Sequence, residues 1–267
     1  MTVLTREFRA SFAFVERNFN LTKRYWGWEV AFMVYSVAGA LAVTLIGRDQ
    51  NSARLILSLM IGATFWNYLS VVFSIIAEQI SWERWEGTLE YTMMAPVRRV
   101  SQLLGSTVFA IMWGLIHTTV VLTVLVLFFG IDLSHADFVS AIVLMLVGSL
   151  SIIGIGMMAA TLPLIWVERG DQMVFVIQSL LLLISGVYYS VTILPAPMQV
   201  VSALSPATYI LDGVRQALID GAPVGSMLTG HLLPLAVMAV VFIPLGVFVF
   251  GWAERYAKRT GKLKRVG

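Results

Sequence analysis

The sequence has no cysteine and little charge. Without cysteine there is no disulfide, no thiol nucleophile and no thiolate metal site, and the redox compartment leaves no trace. Asp, Glu, Lys and Arg make up 12% of the 267 residues, against roughly 25% in a typical soluble domain. Several chemical signatures are missing as well. There is no HExxH pair to ligate zinc from one helix face, and no GxxxxGK[ST] loop to cradle ATP phosphates. Ser185-Gly186 would end a GxSG serine-protease motif, but Leu183 stands where that motif needs Gly. Catalytic residues, a metal site, a bound cofactor and a nucleic-acid partner are therefore not expected of this chain. Internal repeats and low-complexity tracts are absent too, and the polar, charged stretch 1–27 does not resemble a cleavable signal peptide.

What the sequence does have is length without charge. Apolar residues account for 58% of it, concentrated in runs near 28–46, 55–77, 102–129, 138–165, 173–191 and 231–252. A run of 18 or more such residues crosses about 30 Å of hydrocarbon as a helix. Lipid forbids unpaired backbone, so the alternative is a closed barrel, whose strands alternate apolar and polar over about ten residues. These runs are longer and do not alternate. An all-α membrane protein with six transmembrane helices is expected, the third and fourth runs being long enough to tilt or protrude.

Fifteen of the eighteen Lys and Arg fall in the N-terminal stretch, the 78–101 and 166–172 connections and the C-terminal tail, and only Arg48, Arg54 and Arg215 on the other side. That bias places both termini in the cytoplasm, with the plasma (inner) membrane as the setting. Inside the spans Glu29, one position from an edge, and His117 are ionisable. Ion-coupled transporters keep buried carboxylates where they work. Their scarcity counts against the alternative reading, an autonomous secondary transporter or channel. His117, beside Thr118 and Thr119, reads as an interhelical hydrogen-bonding residue.

Two basic-side stretches carry helical periodicity without being spans. In 3–24, Leu4, Phe8, Phe12, Val15 and Phe19 recur at spacings of 4, 4, 3 and 4, with Arg6, Arg9, Arg17 and Arg24 opposite. An amphipathic helix lying in the membrane interface follows, with lipid as its partner. In 78–94, Trp82, Trp85, Leu89 and Met93 form one stripe, and Glu83, Glu86 and Glu90 stack beside it. Stacked carboxylates repel; a solvated face tolerates that, and a basic partner surface would exploit it. Charge alone does not decide between them. The connection 192–230 contains Pro195, Pro197, Pro206 and Pro223 yet stays apolar, which points to short helices dipping back into protein or the outer membrane face. The domain plan is thus 1–27 interfacial helix, 28–252 transmembrane domain with these two inserted segments, and 253–267 basic tail.

Trp82-Glu83-Arg84-Trp85-Glu86-Gly87-Thr88-Leu89-Glu90 followed by Met94-Ala95-Pro96-Val97-Arg98-Arg99 resembles the segment after the second span of type 2 ABC transporter permeases, with its E-x-G-T-x-E pattern. Ser185-Gly186-Val187-Tyr188-Tyr189, Leu194-Pro195, Ser205-Pro206-Ala207-Thr208-Tyr209, Asp212-Gly213 and Arg215 resemble that family's fifth span and outer re-entrant segment, although Ser190 stands where many relatives carry Pro. The resemblance implies the permease subunit of an ATP-driven exporter, working as a homodimer on two ATP-binding-cassette subunits that hold the ATP and Mg. It makes 78–94 a coupling helix, with Trp82, Glu83, Glu86, Gly87 and Glu90 facing the ATPase, and Glu168 and Arg169 a second, smaller contact. It also implies a substrate path along the second and fifth spans, for which Phe65, Trp66, Asn67, Tyr68, Gln178 and Tyr188 are the candidates. An aromatic, uncharged path suits an amphiphilic or hydrophobic cargo such as a drug, a lipid or a lipid-linked glycan.

Overall fold

A computed structural model describes residues 3–50, 52–95 and 97–262; Pro96, Lys264 and Arg265 lie outside the described residues, as do the side chains of Leu4, Arg6 and Arg99. The described residues form helices and no strand. Helix α1 (Val3–Arg24) turns at Tyr25 into α2 (Trp26–Asp49), and α3 (Ala53–Ala77) returns. Short helices α4 (Gln79–Trp85) and α5 (Leu89–Met94) precede the long α6 (Arg99–Phe129). Then come α7 (Phe138–Ala159), α8 (Thr161–Ile165), α9 (Gly170–Ile184), α10 (Ala196–Ala203), α11 (Pro206–Ile219) and α12 (Leu233–Arg259).

Local chemistry sets several of these boundaries. Ser52 caps α3 by accepting from the Leu55 amide at 3.3 Å, and Asp137 caps α7 by accepting from Ser140 at 3.1 Å. The expected 138–165 run breaks at Ala160. Three residues further on, Pro163 cannot donate a helix hydrogen bond, and α8 ends at Ile165.

Among the described residues five segments are long and apolar enough to cross a membrane: Trp26–Asp49, Ala53–Ala77, Val100–Phe129, Phe138–Ile165 and Val224–Arg259. The run expected at 173–191 is different. Its helix, α9, has 15 residues, about 22 Å at 1.5 Å per residue. It stops at Ile184, where Ser185 and Gly186 turn the chain. By length, then, five crossings are visible in the helices, and the chain is a multi-pass membrane protein.

Helix α3 is the axis of the bundle. Met60, Ile61, Leu69, Phe73 and Ile76 on it are fully or almost fully buried, with Leu125 of α6, Leu144 and Ile152 of α7 and Ile210 of α11 in the same core. Helix α12 packs along α7, where the Ser151 hydroxyl donates to the Leu235 carbonyl at 2.8 Å. Helices α2 and α9 are peripheral: Trp28, Phe32, Val34 and Tyr35 on one, and Phe175, Val176 and Leu180 on the other, are exposed. Helix α1 packs on α6 and leaves Phe8, Phe12 and Phe19 exposed.

Candidate functional site

The basic end of the bundle gathers α1, α4, α5, the corner between α8 and α9, and the end of α12. The expected single helix over 78–94 is two. After Trp85 the chain turns at Gly87, whose φ of 73° lies in the left-handed region that favours glycine. The Gly87 amide donates to the Arg84 carbonyl and the Thr88 amide to the Glu83 carbonyl, so orphan carbonyls of α4 are satisfied as α5 begins. The E-G-T portion of the motif thus encodes a helix stop.

That break separates the apolar stripe. Trp82 and Trp85 stay exposed, while Leu89 and Met93 are buried in a small core with Leu164 of α8 and Phe250 of α12. It also separates the carboxylates, and the expectation of one outward acidic face is corrected here. Glu83 is 3% exposed. Its Oε1 accepts from Arg17 Nη1 at 2.8 Å, Gln102 Nε2 at 3.1 Å and Gln79 Nε2 at 3.3 Å. Glu86 is half-buried, accepting from the Tyr25 hydroxyl and lying 3.5 Å from Arg24. Only Glu90 of the three is exposed. The reason is the basic face of α1. Arg17 and Arg24 neutralise inside the chain a charge that the sequence left facing outward.

The second expected contact, Glu168 and Arg169, is exposed in the turn between α8 and α9. Two bonds join that corner to α4. The Ser81 hydroxyl donates to Asp171, and the buried Arg84 donates from Nη1 to the Pro163 carbonyl at 2.8 Å. Arg84 Nη2 reaches the Lys262 carbonyl at 3.1 Å, and Lys262 Nζ reaches the Ile165 carbonyl at 2.9 Å. One guanidinium therefore ties α4, α8 and the segment after α12 together, a role the sequence reading missed because Arg84 counted there only as a positive charge. Beside it, burial pushes the Glu78 carboxyl up to about 7; the Ser74 hydroxyl partly opposes that and the Asp171 charge adds to it.

Of the candidate path residues on α3, Phe65 and Tyr68 are buried inside the chain; Tyr68 is 0% exposed and its hydroxyl meets that of Ser149 at 2.5 Å. These two pack rather than line an accessible surface. Trp66 and Asn67 are half-buried, and the Asn67 Oδ1, the Thr64 Oγ1 and the Ser70 Oγ are buried atoms without a hydrogen-bond partner. Gln178 is half-buried on α9, and Tyr188 sits at the edge of exposure just beyond it.

At the opposite end the two parts of the second motif meet. The Arg215 guanidinium donates to the Gly186 carbonyl at 2.9 Å and to the Val187 carbonyl. Those carbonyls follow the last turn of α9, where a cation also complements the helix dipole. Gly62 of α3 makes room: a Cβ there would lie 2.0 Å from the Val187 oxygen. Ser185 and Ser205 share a hydrogen bond of 2.9 Å, and Thr208 donates to the Ser202 carbonyl at 3.0 Å. Asp212 and His231, 3.0 Å apart, join α11 to the turn that opens α12. In the sequence Arg215 counted for topology and for the family motif and His231 not at all, although the spacing of Asp212, Arg215 and Gln216 on one helix was a usable signal.

His117 is 3% exposed on α6, its Nε2 3.7 Å from Glu29 Oε2, an atom that also accepts from Trp113 Nε1 at 3.1 Å. The model of the family described as ABC-2 type transporter matches residues 9–219. No curated protein matches the chain.

Proposed function

The chain belongs to the ABC-2 type transporter family, and on that footing we propose that it is the permease subunit of an exporter that moves an amphiphilic or hydrophobic cargo outward. The family's membrane subunits pair in general with ATP-binding-cassette subunits. Two copies of this chain would form a twelve-helix unit, α9 and the turn at Ser185–Gly186 completing the sixth crossing of each, with α10 and α11 re-entrant on the outer side. The basic end is cytoplasmic. ATP and Mg belong to two partner subunits docked there, in the plasma (inner) membrane, and α1 lies on the lipid surface.

The observation that carries the reading is the bracing of the two candidate docking points. Helix α4 and the α8–α9 corner are bonded to each other through Arg84 and Ser81, so a push on one is transmitted to the other. The exposed Trp82, Trp85, Glu90, Glu168 and Arg169 are the side chains left to meet the ATPase. The half-buried Trp66 and Asn67, with Gln178 and Tyr188, are the path residues that an accessible surface leaves in play. An aromatic surface takes up apolar cargo at about 25 cal/mol per Å² buried, and drug, lipid and lipid-linked glycan share that chemistry.

The test is reconstitution. Purified alone, the chain should hydrolyse no ATP; co-purified with its partner ATPase it should, with turnover raised by cargo. ATP hydrolysis by the isolated chain, or a fully active complex that contains no ATPase subunit, would refute the permease assignment. Asn67→Ala should change cargo-stimulated turnover more than it changes the melting temperature.

A further inference from the structure

Between α1, α2, α4 and α6 the basic end holds a cavity of about 220 Å³. Aromatic rings of Trp28, Phe32, Trp82 and Phe109 form much of its wall. Three carboxylates, Glu29, Glu83 and Glu86, line it together with one basic residue, Arg17.

Two of these carboxylates are half used. All three donors to Glu83 reach Oε1, and Oε2 is buried without a hydrogen-bond partner. Both contacts of Glu29, from Trp113 and His117, fall on Oε2, and Oε1 accepts no hydrogen bond among the described residues. Glu86 is different, with Tyr25 on one oxygen and Arg24 near the other. A buried oxygen that lacks a donor is destabilising, and a ligand N–H removes that deficit. A cation fits better than a neutral donor, because Arg17 beside Glu83 and Arg24 beside Glu86 leave Glu29 with no Lys or Arg among the described residues to balance it and because ring faces attract ammonium groups. An anion would meet three carboxylates against one guanidinium in the lining.

We propose that this cavity binds an organic ammonium ion with a compact apolar body, its charge held by the unpaired oxygens of Glu29 and Glu83 and its body among Trp28, Phe32 and Phe109. The volume corresponds to roughly seven water molecules at about 30 Å³ each, too small for a whole phospholipid. The ammonium belongs either to a small amphiphilic amine or to the ethanolamine headgroup of a lipid whose chains stay outside. That this ligand is the cargo rests on the exporter reading; the binding itself does not.

Binding is measured on the chain alone in nanodiscs of phosphatidylcholine and phosphatidylglycerol, with empty discs as the control. The probes are 4-phenylbutylamine, 4-phenylbutan-1-ol and 4-phenylbutyrate. The amine should bind at least roughly tenfold more tightly than the alcohol, a difference of about 1.4 kcal/mol, and the carboxylate should not bind. Glu29→Gln should abolish the preference for amine over alcohol. Thr22→Trp, which fills the cavity from α1 without changing charge, should abolish binding of both. Equal binding of amine and alcohol to the unaltered chain overturns the proposal, as does a preference surviving in Glu29→Gln. If Glu29→Gln does not fold, amine binding that persists in Thr22→Trp overturns it equally. Repeating the titration with ethanolamine lipid in the discs separates the sources: competition identifies the headgroup as occupant, and unchanged affinity identifies a free amine. Turnover of the assembled complex is read independently. An amine that binds the chain without altering ATP turnover removes the cargo assignment and leaves the site; coupled turnover without amine binding does the reverse.

Discussion

The two ends of the bundle solve one problem in different ways. At the basic end, α4 is held to its neighbours largely by charge: Arg17 on Glu83, Arg24 and Tyr25 on Glu86, and Arg84 on the Pro163 and Lys262 carbonyls. At the opposite end a single guanidinium, Arg215, holds the Gly186–Val187 turn against α11, and short hydroxyl bonds do the rest. The first arrangement spreads its cost over several contacts, from the wet Arg24–Glu86 pair, of small net value, to the buried Arg84. The second concentrates it in one half-buried cation, whose loss strands two backbone carbonyls. A segment that has to move with a partner tolerates the first kind of anchoring; a turn that has to stay closed benefits from the second.

That contrast is easiest to break at Arg215. Arg215→Met should lower stability by about 2–4 kcal/mol, because it leaves the Gly186 and Val187 carbonyls without donors. Thermal unfolding in detergent reads the loss, and a change under 1 kcal/mol would mean that water replaces the guanidinium there. Arg84→Met should cost less, about 2 kcal/mol, and locally. Hydrogen exchange should rise at the α8–α9 corner and at the end of α12, with the α11 amides unchanged.

The titration of Glu78 sharpens the contrast from another side. The Glu78 carboxyl lies at about 7, raised from 4.5 chiefly by burial. The folded chain therefore holds a proton that the unfolded chain releases, and stability should fall as pH rises from about 4.5 through 7. Ser74, Ser81 and Asp171 face Glu78 there, and Arg84 acts on Asp171. Since the group is partly exposed, the effect should be about 1–2 kcal/mol. Glu78→Gln should flatten the slope of melting temperature against pH; an identical slope would assign it to another group.

The smallest stability effects lie within the acidic stripe itself. Glu83→Gln should cost about 1 kcal/mol, since Arg17 loses its partner yet still reaches water. The exposed Glu90→Lys should stay within about 0.5 kcal/mol but reduce co-purification of the ATPase. Should Glu90→Lys retain the ATPase fully, the acidic end of the motif is a solvated face and docking depends on Trp82, Trp85 and the α8–α9 corner.

The sequence by itself determined the things that depend on a count along the chain. Long uncharged runs require helices in lipid, and four of the six expected spans appear close to their predicted limits; α12 outlasts its run by about two turns, and α9 is cut short at Ile184. Periodicity found α1 and its outward Phe8, Phe12 and Phe19. The motif found the segment that contains Gly87, and spacing on a continuous helix then mispredicted it, because one left-handed residue rotates everything after it. Only the tertiary structure decided where charges go. Glu83 reads as outward until Arg17, 66 positions away in the chain, is brought against it, and Arg84 and Arg215 read as motif members and topology markers until carbonyls from distant segments arrive. Phe65 and Tyr68 look like path residues until α6 and α7 close over them. Helical periodicity is a property of neighbours in sequence, which a single chain displays in order. The partner of a buried charge is a property of neighbours in space, and it exists only once the helices have packed.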